Sequence, residues 1–240
     1  MSLLWTPALD ARERPGSSQS VDDETSIRLA SAFRAAGDYR SAIQVYRRLL
    51  SQKASSPDLR LELGETLIDA GLIDDAIGVF LAVSAEFPDN GQAQLGLARA
   101  NLMLNSPPEA LKYVEKAAAL DQSNQRILIV RGVILDRLGR HSEAQASYRA
   151  ALSLEPRSVA ARNDLALSLA LSGQYKEAID ILTPIARSAD ATAGDRQNLA
   201  FVLGLSGDVK GALALSRVDL DEAAAQANSR FFAFVGPKGR

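Results

Sequence analysis

Around residue 70 the apolar side chains fall at Leu63, Leu67, Leu72, Ala76 and Phe80, four or five positions apart. That spacing returns each of them to one face of a helix. The phase slips at Gly71, a residue suited to the left-handed conformation that ends a helix. Asp74 follows near the start of a second helix, where its charge suits the dipole. The predicted unit is helix, short turn, helix, closed by Pro88. The same pattern recurs every thirty-four residues. One ladder runs Ala42, Ala76, Ala110, Ala144, Ala178, Ala212, and a second runs Gly37, Gly71, Asn105, Gly139, Gly173, Gly207. A third is Ala30, Gly64, Ala98, Gly132, Ala166, Ala200. A fixed period in this range marks an array of stacked units, each burying its apolar face on its neighbours.

The ladders frame repeats near 23–56, 57–90, 91–124, 125–158, 159–192 and 193–221, a solenoid over residues 22–221. Residues 1–21, rich in Ser, Pro, Gly and Arg, read as a flexible tail. Trp5 in that tail either stands exposed or folds back on the first repeat. In the third repeat Asn105 replaces the turn glycine, and Ser106, Pro107 and Glu109 predict an N-cap, a first-turn proline and a capping box. Beyond Asp221 the period fades. Residues 222–240 read as one more helix with Phe231, Phe232 and Phe234, then a Gly-Pro breaker. Such a helix suits the open apolar end of an array.

Abundant Ala and Leu, few aromatics and few β-branched runs predict an all-α fold. With 240 residues, a formal net charge of −2 and no basic stripe, a nucleic-acid surface is not expected. Absence of cysteine excludes disulfides and thiolate metal sites. No apolar run is long enough for a membrane span, and residues 1–10 lack the pattern of a signal peptide.

These features resemble the tetratricopeptide repeat (TPR) family. The fourth repeat matches its pattern at Gly132, Leu135, Gly139, Ala144, Tyr148, Ala151 and Pro156. The second matches at Leu63, Gly64, Leu67, Gly71, Ala76, Phe80 and Pro88. Departures include Arg131 in the first helix of repeat four and Leu182 and Ser216 in place of the aromatic. The implied fold is a TPR solenoid of about six repeats with a C-terminal capping helix. A narrower resemblance lies in the run Asp195-Arg-Gln-Asn-Leu-Ala-Phe-Val-Leu-Gly-Leu-Ser-Gly207, continued by residues 212–220 and Asn228. It is similar to the end of TadD-type proteins of the Tad/Flp pilus assembly system. That resemblance implies an outer-membrane lipoprotein facing the periplasm, with the pilus secretin or other Tad components as partners. The signal segment and lipobox cysteine are absent from this sequence. Without the resemblance a cytoplasmic location is expected.

Candidate chemistry is sparse. His141, two residues past Gly139, reads as a turn residue between helices. Catalysis there would need a nucleophile and a carboxylate converging on it. Glu62, Glu65 and Asp69 share a helix face, but one helix rarely supplies enough oxygens for a hard cation. No phosphate loop is present. No enzyme, cofactor or metal is expected.

The TPR resemblance places the first helices on a concave groove. There the early repeats carry Arg28, Arg34, Glu62, Glu65, Asp69 and Arg99, with Glu65 and Arg99 one period apart as expected neighbours. The later repeats carry Ile129, Val133, Asn163, Leu167, Ala170, Gln197, Asn198 and Phe201. Val133, Leu167 and Phe201 form the expected apolar contact line, with Asn163 and Asn198 as hydrogen-bonding partners for a bound peptide or protein segment. Self-capping by the C-terminal helix is the competing reading. The clamp positions of chaperone-tail binders read Ile27, Ser31, Glu62, Gln92 and Gly96, so that clamp is absent. The expected function is a non-catalytic protein–protein interaction scaffold. The alternatives are a self-associating element, which leaves the oligomeric state open, and a general cytoplasmic adaptor.

Overall fold

The computed structural model describes residues 17–53 and 56–235. Trp5 and the rest of residues 1–16 lie outside them. All regular structure among the described residues is helical. The chain divides into two units, Met1–Val83 and Ser84–Arg240.

The first unit holds α1 (Ser17–Ala35), α2 (Tyr39–Gln52), α3 (Pro57–Asp69) and most of α4 (Ile73–Glu86). Helix α1 begins at Ser17, inside the stretch read as tail. The core of this unit includes Ala30, Ala42, Tyr46, Leu63, Leu67, Ala76, Phe80 and Val83, all buried. The small residue at position 64 has a clear cause. A Cβ on Gly64 would sit 2.6 Å from the Phe80 ring, so glycine on one helix makes room for an aromatic on the next.

The second unit continues with α5 (Gly91–Met103), α6 (Pro107–Leu120), α7 (Gln125–Arg137), α8 (His141–Leu154), α9 (Val159–Leu171) and α10 (Tyr175–Ala186). It ends with α11 (Ala193–Ser206), the short α12 (Val209–Ser216) and α13 (Glu222–Val235). Successive helices pack on one another in chain order. One buried cluster gathers Leu95, Ala98, Ala110, Val114, Ile127 and Ile134. Another gathers Leu135, Tyr148, Leu165, Leu169, Leu182 and Val202.

Each of the six turns is built alike. The ladder residues Gly37, Gly71, Gly139, Gly173 and Gly207 have φ between 73° and 96°, and Asn105 has φ 54°. At each turn the following amide reaches back five residues, as Leu72 N does to the Leu67 carbonyl at 2.9 Å. This closure satisfies a carbonyl that the helix end would otherwise leave unpaired.

The expected capping box on α6 does not form. Ser106 makes no side-chain cap bond, and Glu109 lies 2.6 Å from Lys112 instead. Pro108, at the second helical position, carries no N–H, so one of the two donors that a cap side chain serves is missing. The box appears on α11, where the Thr192 hydroxyl accepts from Asp195 N and the Asp195 carboxylate accepts from Thr192 N.

Helix α13 is held by one of its three phenylalanines. Phe232 is buried over Gly204, where a Cβ would run into the ring. Phe231 and Phe234 stay 51% and 78% exposed.

Candidate functional site

In the first unit the three acids of α3 converge on one cation. Arg34 Nε donates to Asp69 Oδ2 at 2.6 Å and Nη1 to Glu62 Oε2 at 3.2 Å, with Glu65 Oε2 3.7 Å from Nη2. The face weighed above as a metal site is therefore matched by the chain's own guanidinium. Hydrogen bonding to Asp69 and the neighbouring carboxylates outweigh burial and raise the Arg34 pKa.

In the second unit α7, α8 and α9 place side chains around a cavity of about 200 Å³. Val133, Leu167 and Leu171 form its apolar wall, and Asp136, Arg137, Tyr148 and Asp164 supply its polar groups. Val133 and Leu167 were expected in one contact line, and the fold brings them together here. Both, with Ile129 and Phe201, pack against the same buried cluster.

Asp136 is the centre of a network that sequence reading missed. Its Oδ1 accepts from the Ser168 hydroxyl at 2.7 Å and sits 2.8 Å from His141 Nδ1. Its Oδ2 accepts from the Tyr148 hydroxyl at 3.1 Å. His141, the first residue of α8, thus has a carboxylate partner. Yet Ser168 donates to that same carboxylate and is fully buried, so the imidazole does not receive the hydroxyl proton that a nucleophilic relay requires. Burial, reinforced by Asp136, pushes the Tyr148 hydroxyl up.

Asp164, on α9, faces the same cavity without a hydrogen bond or ion pair among the described residues. Burial first, and the charge on Asp136 second, push its carboxyl up to about 6. No motif flagged Asp136 or Asp164. The available signal was two carboxylates twenty-eight residues apart, the interval that separates Arg34 from Glu62.

The expected amide partners are placed differently. Asn163 Nδ2 donates to Asp195 Oδ1 at 2.7 Å, tying α9 to the capping box of α11. Its Oδ1 is buried without a partner. Asn198 and Phe201 border a second cavity of about 350 Å³ with Asn228, Phe231 and Phe232 of α13. Phe201 meets Phe232 edge to face at 6.1 Å between ring centroids. Part of the Phe201 surface is therefore taken by the chain's own last helix. Glu65 is occupied by Arg34 inside the first unit, and Arg99 is half-buried on α5 of the second.

The C-terminal motif also acquires a physical role. Arg196 grips Asp219 with two bonds, of 2.8 and 2.5 Å, and donates to the Ala191 carbonyl at 2.8 Å. The start of α11 is thereby fastened to the turn that launches α13. Among the described residues no helix is long and apolar enough to cross a membrane, and no cluster of His, Cys, Asp and Glu is arranged to hold a metal ion.

Paired helices at a thirty-four-residue period, left-handed turns and small-for-aromatic exchanges define a helical-repeat interaction module. The chain belongs to the tetratricopeptide repeat family, whose models match residues 61–125, 130–196 and 33–85. It is 35% identical over 92 residues to the uncharacterized protein y4yS of Sinorhizobium fredii, covering 38% of this chain and 50% of that one. It is 27% identical over 159 residues to a TPR repeat-containing protein of Methanocaldococcus jannaschii, covering 62% of this chain and 28% of that one. The chain thus spans half or less of the length of these curated relatives. Among solved structures, a thermophilic TPR protein of Thermus thermophilus superposes with a TM-score of 0.68 at 22% identity. The match covers 75% of this chain and 98% of that one, and at this identity it is a likeness of fold. TPR arrays serve in general as scaffolds for protein–protein interaction, and this chain has that architecture.

Proposed function

We propose that the second unit holds a segment of a partner protein along the first helices α7, α9 and α11, as a non-catalytic scaffold. The observation that carries this reading is the cavity between α7 and α9. There, apolar side chains expected to contact a ligand stand open beside Asp164, a carboxylate without a hydrogen bond or ion pair among the described residues. The apolar wall desolvates a guest side chain, and polar groups fix its orientation.

The setting we favour is Tad/Flp pilus assembly on the periplasmic side of a bacterial outer membrane, with the secretin or another Tad component as the guest. What supports it is the C-terminal resemblance, whose Arg196 and Asp219 are joined in the structure. A photo-crosslinking residue placed at Leu171, which is 55% exposed, tests the reading in a host that assembles such pili. A discrete adduct with a Tad component is expected there, and none from the same residue at Val218, which is 64% exposed in the turn between α12 and α13. Equal adducts from both positions, or none from Leu171, would refute it.

A second reading, self-association, is favoured by Phe231 and Phe234 standing exposed on α13. Light scattering over a dilution series separates the two. A mass that stays monomeric at all concentrations removes self-association.

A further inference from the structure

The carboxylates of the α7–α9 cavity have counterparts inside the same chain. Three repeats earlier, Arg34 stands at the place of Asp136, and Glu62 at the place of Asp164. Likewise Glu65 corresponds to Leu167 and Asp69 to Leu171. In the first unit the Arg34 guanidinium lies on Glu62 and Asp69, at 3.2 and 2.6 Å, with Glu65 beside it. In the second unit the acceptor is kept at Asp164, but the cation has been exchanged for a second carboxylate. The space that the arginine occupies in the first unit corresponds to the open cavity of about 200 Å³ in the second.

Among the described residues no arginine or lysine replaces the lost cation. The donors to Asp136 are His141, Ser168 and Tyr148, and Asp164 receives none among the described residues. Arg137 borders the cavity but is exposed and forms no ion pair with either acid. Two facing carboxylates without a full counter-charge repel each other and lose hydration, an unfavourable state that an incoming cation relieves. The upward displacement of the Asp164 carboxyl agrees with this state.

We propose that the α7–α9 cavity receives a basic side chain from the bound partner segment, arginine by preference, its stem on Val133, Leu167 and Leu171 and its charge on Asp164 and Asp136. Arginine is preferred because its planar fork can bridge two carboxylates, as Arg34 does in the first unit. The leucines that replace Glu65 and Asp69 turn an all-acidic grip into one that also recognises the aliphatic stem. The proposal rests on the groove reading above and adds the chemistry of the guest.

The probe is a blocked peptide, acetyl-Ala-Leu-Arg-Leu-Ala-amide, titrated at millimolar concentration into the full-length ¹⁵N-labelled chain. A control peptide carries citrulline, the neutral isostere, in place of arginine. The arginine peptide is expected to shift the backbone amides of Asp164, Leu167 and Leu171. The citrulline peptide should bind about tenfold or more weakly, and Asp164→Asn should reduce arginine-peptide binding by a similar factor. Affinity should fall as the pH drops below about 6, because protonation removes the charge that the guest requires. If both peptides bind alike on the α7–α9 face, the groove reading stands and the cation pocket is overturned. If neither shifts any amide of α7, α9 or α11, both are overturned. Asp164→Asn keeps the side-chain volume and removes a repulsion, so loss of binding in a variant that melts no lower than the parent cannot be ascribed to misfolding.

Discussion

Replacing Asp164 by Asn should stabilise the free protein at neutral pH and leave it unchanged in acid. Burial and the neighbouring Asp136 raise this carboxyl from 3.8 to about 6 in the folded chain. The folded state therefore holds the proton more tightly than the unfolded state does. The stability this contributes is fully present below the unfolded pKa, near 4, and is lost as the pH rises through about 6. A shift of about two units at ~1.4 kcal/mol each sets a ceiling near ~3 kcal/mol. The carboxylate is partly open to water, so solvent screening reduces this to roughly 1–2 kcal/mol. Asparagine does not ionise, so the variant should gain about that amount at pH 7 and almost nothing at pH 4. The assay is urea unfolding followed by far-UV circular dichroism at each pH, comparing midpoints at unchanged slope. Taking the difference between variant and parent cancels the titrating groups remote from the site. A variant less stable than the parent at pH 7, or one equally advantaged at pH 4, would refute the reasoning.

The glycine–aromatic exchange gives a paired test. Gly132→Ala drives a Cβ into the buried Tyr148 ring, whose hydroxyl is tied to Asp136, and should cost about 1–3 kcal/mol in urea unfolding. Gly78→Ala, on helix α4 with nothing within 4 Å of the added Cβ, should instead gain up to about 1 kcal/mol. Thr192→Ala removes the hydroxyl accepting from Asp195 N and should lower stability by about 0.5–2 kcal/mol, with faster amide exchange in the first turn of α11. Phe232→Ala should release α13, seen as rapid amide exchange along 222–235 while α9 stays protected.

The fold was legible because its determinants are local and repeated. A left-handed residue at each turn and an alanine at each close helix contact leave an unmistakable ladder in the sequence. The capping box on α6 was misread because the pattern of Ser106 and Glu109 ignores Lys112, which takes up the glutamate. Val133 and Leu167 were legible as apolar positions one period apart on successive first helices, and their shared cavity follows from that period. The amide of Asn163 was expected to serve a ligand, but it is engaged by Asp195, a partner thirty-two residues away on another repeat. Asp136 and Asp164 were invisible to motif reading for the same reason. Each is unremarkable on its own helix, and their meaning arises only when neighbouring repeats set them face to face. Comparing equivalent places in different repeats would have revealed them, because Arg34 and Glu62 spell out the same contact with its charges balanced.

The ring of Phe232 over Gly204 has a consequence for how such an array can grow. In the second and fourth repeats the glycine on a first helix is filled by an aromatic from the second helix of the same repeat, Phe80 or Tyr148. In the sixth the equivalent places hold Ala200 and Ser216, and the ring of Phe232 from α13 sits instead over Gly204, one helical turn further along α11. The last repeat and the closing helix are therefore a matched lock and bolt, and neither is interchangeable with the internal copies. New repeats can be spliced in ahead of Ala193 without disturbing that fit, whereas duplication after Ser216 would part the bolt from its lock. Natural or engineered lengthening of this chain should accordingly proceed from the middle, with the terminal block carried along intact.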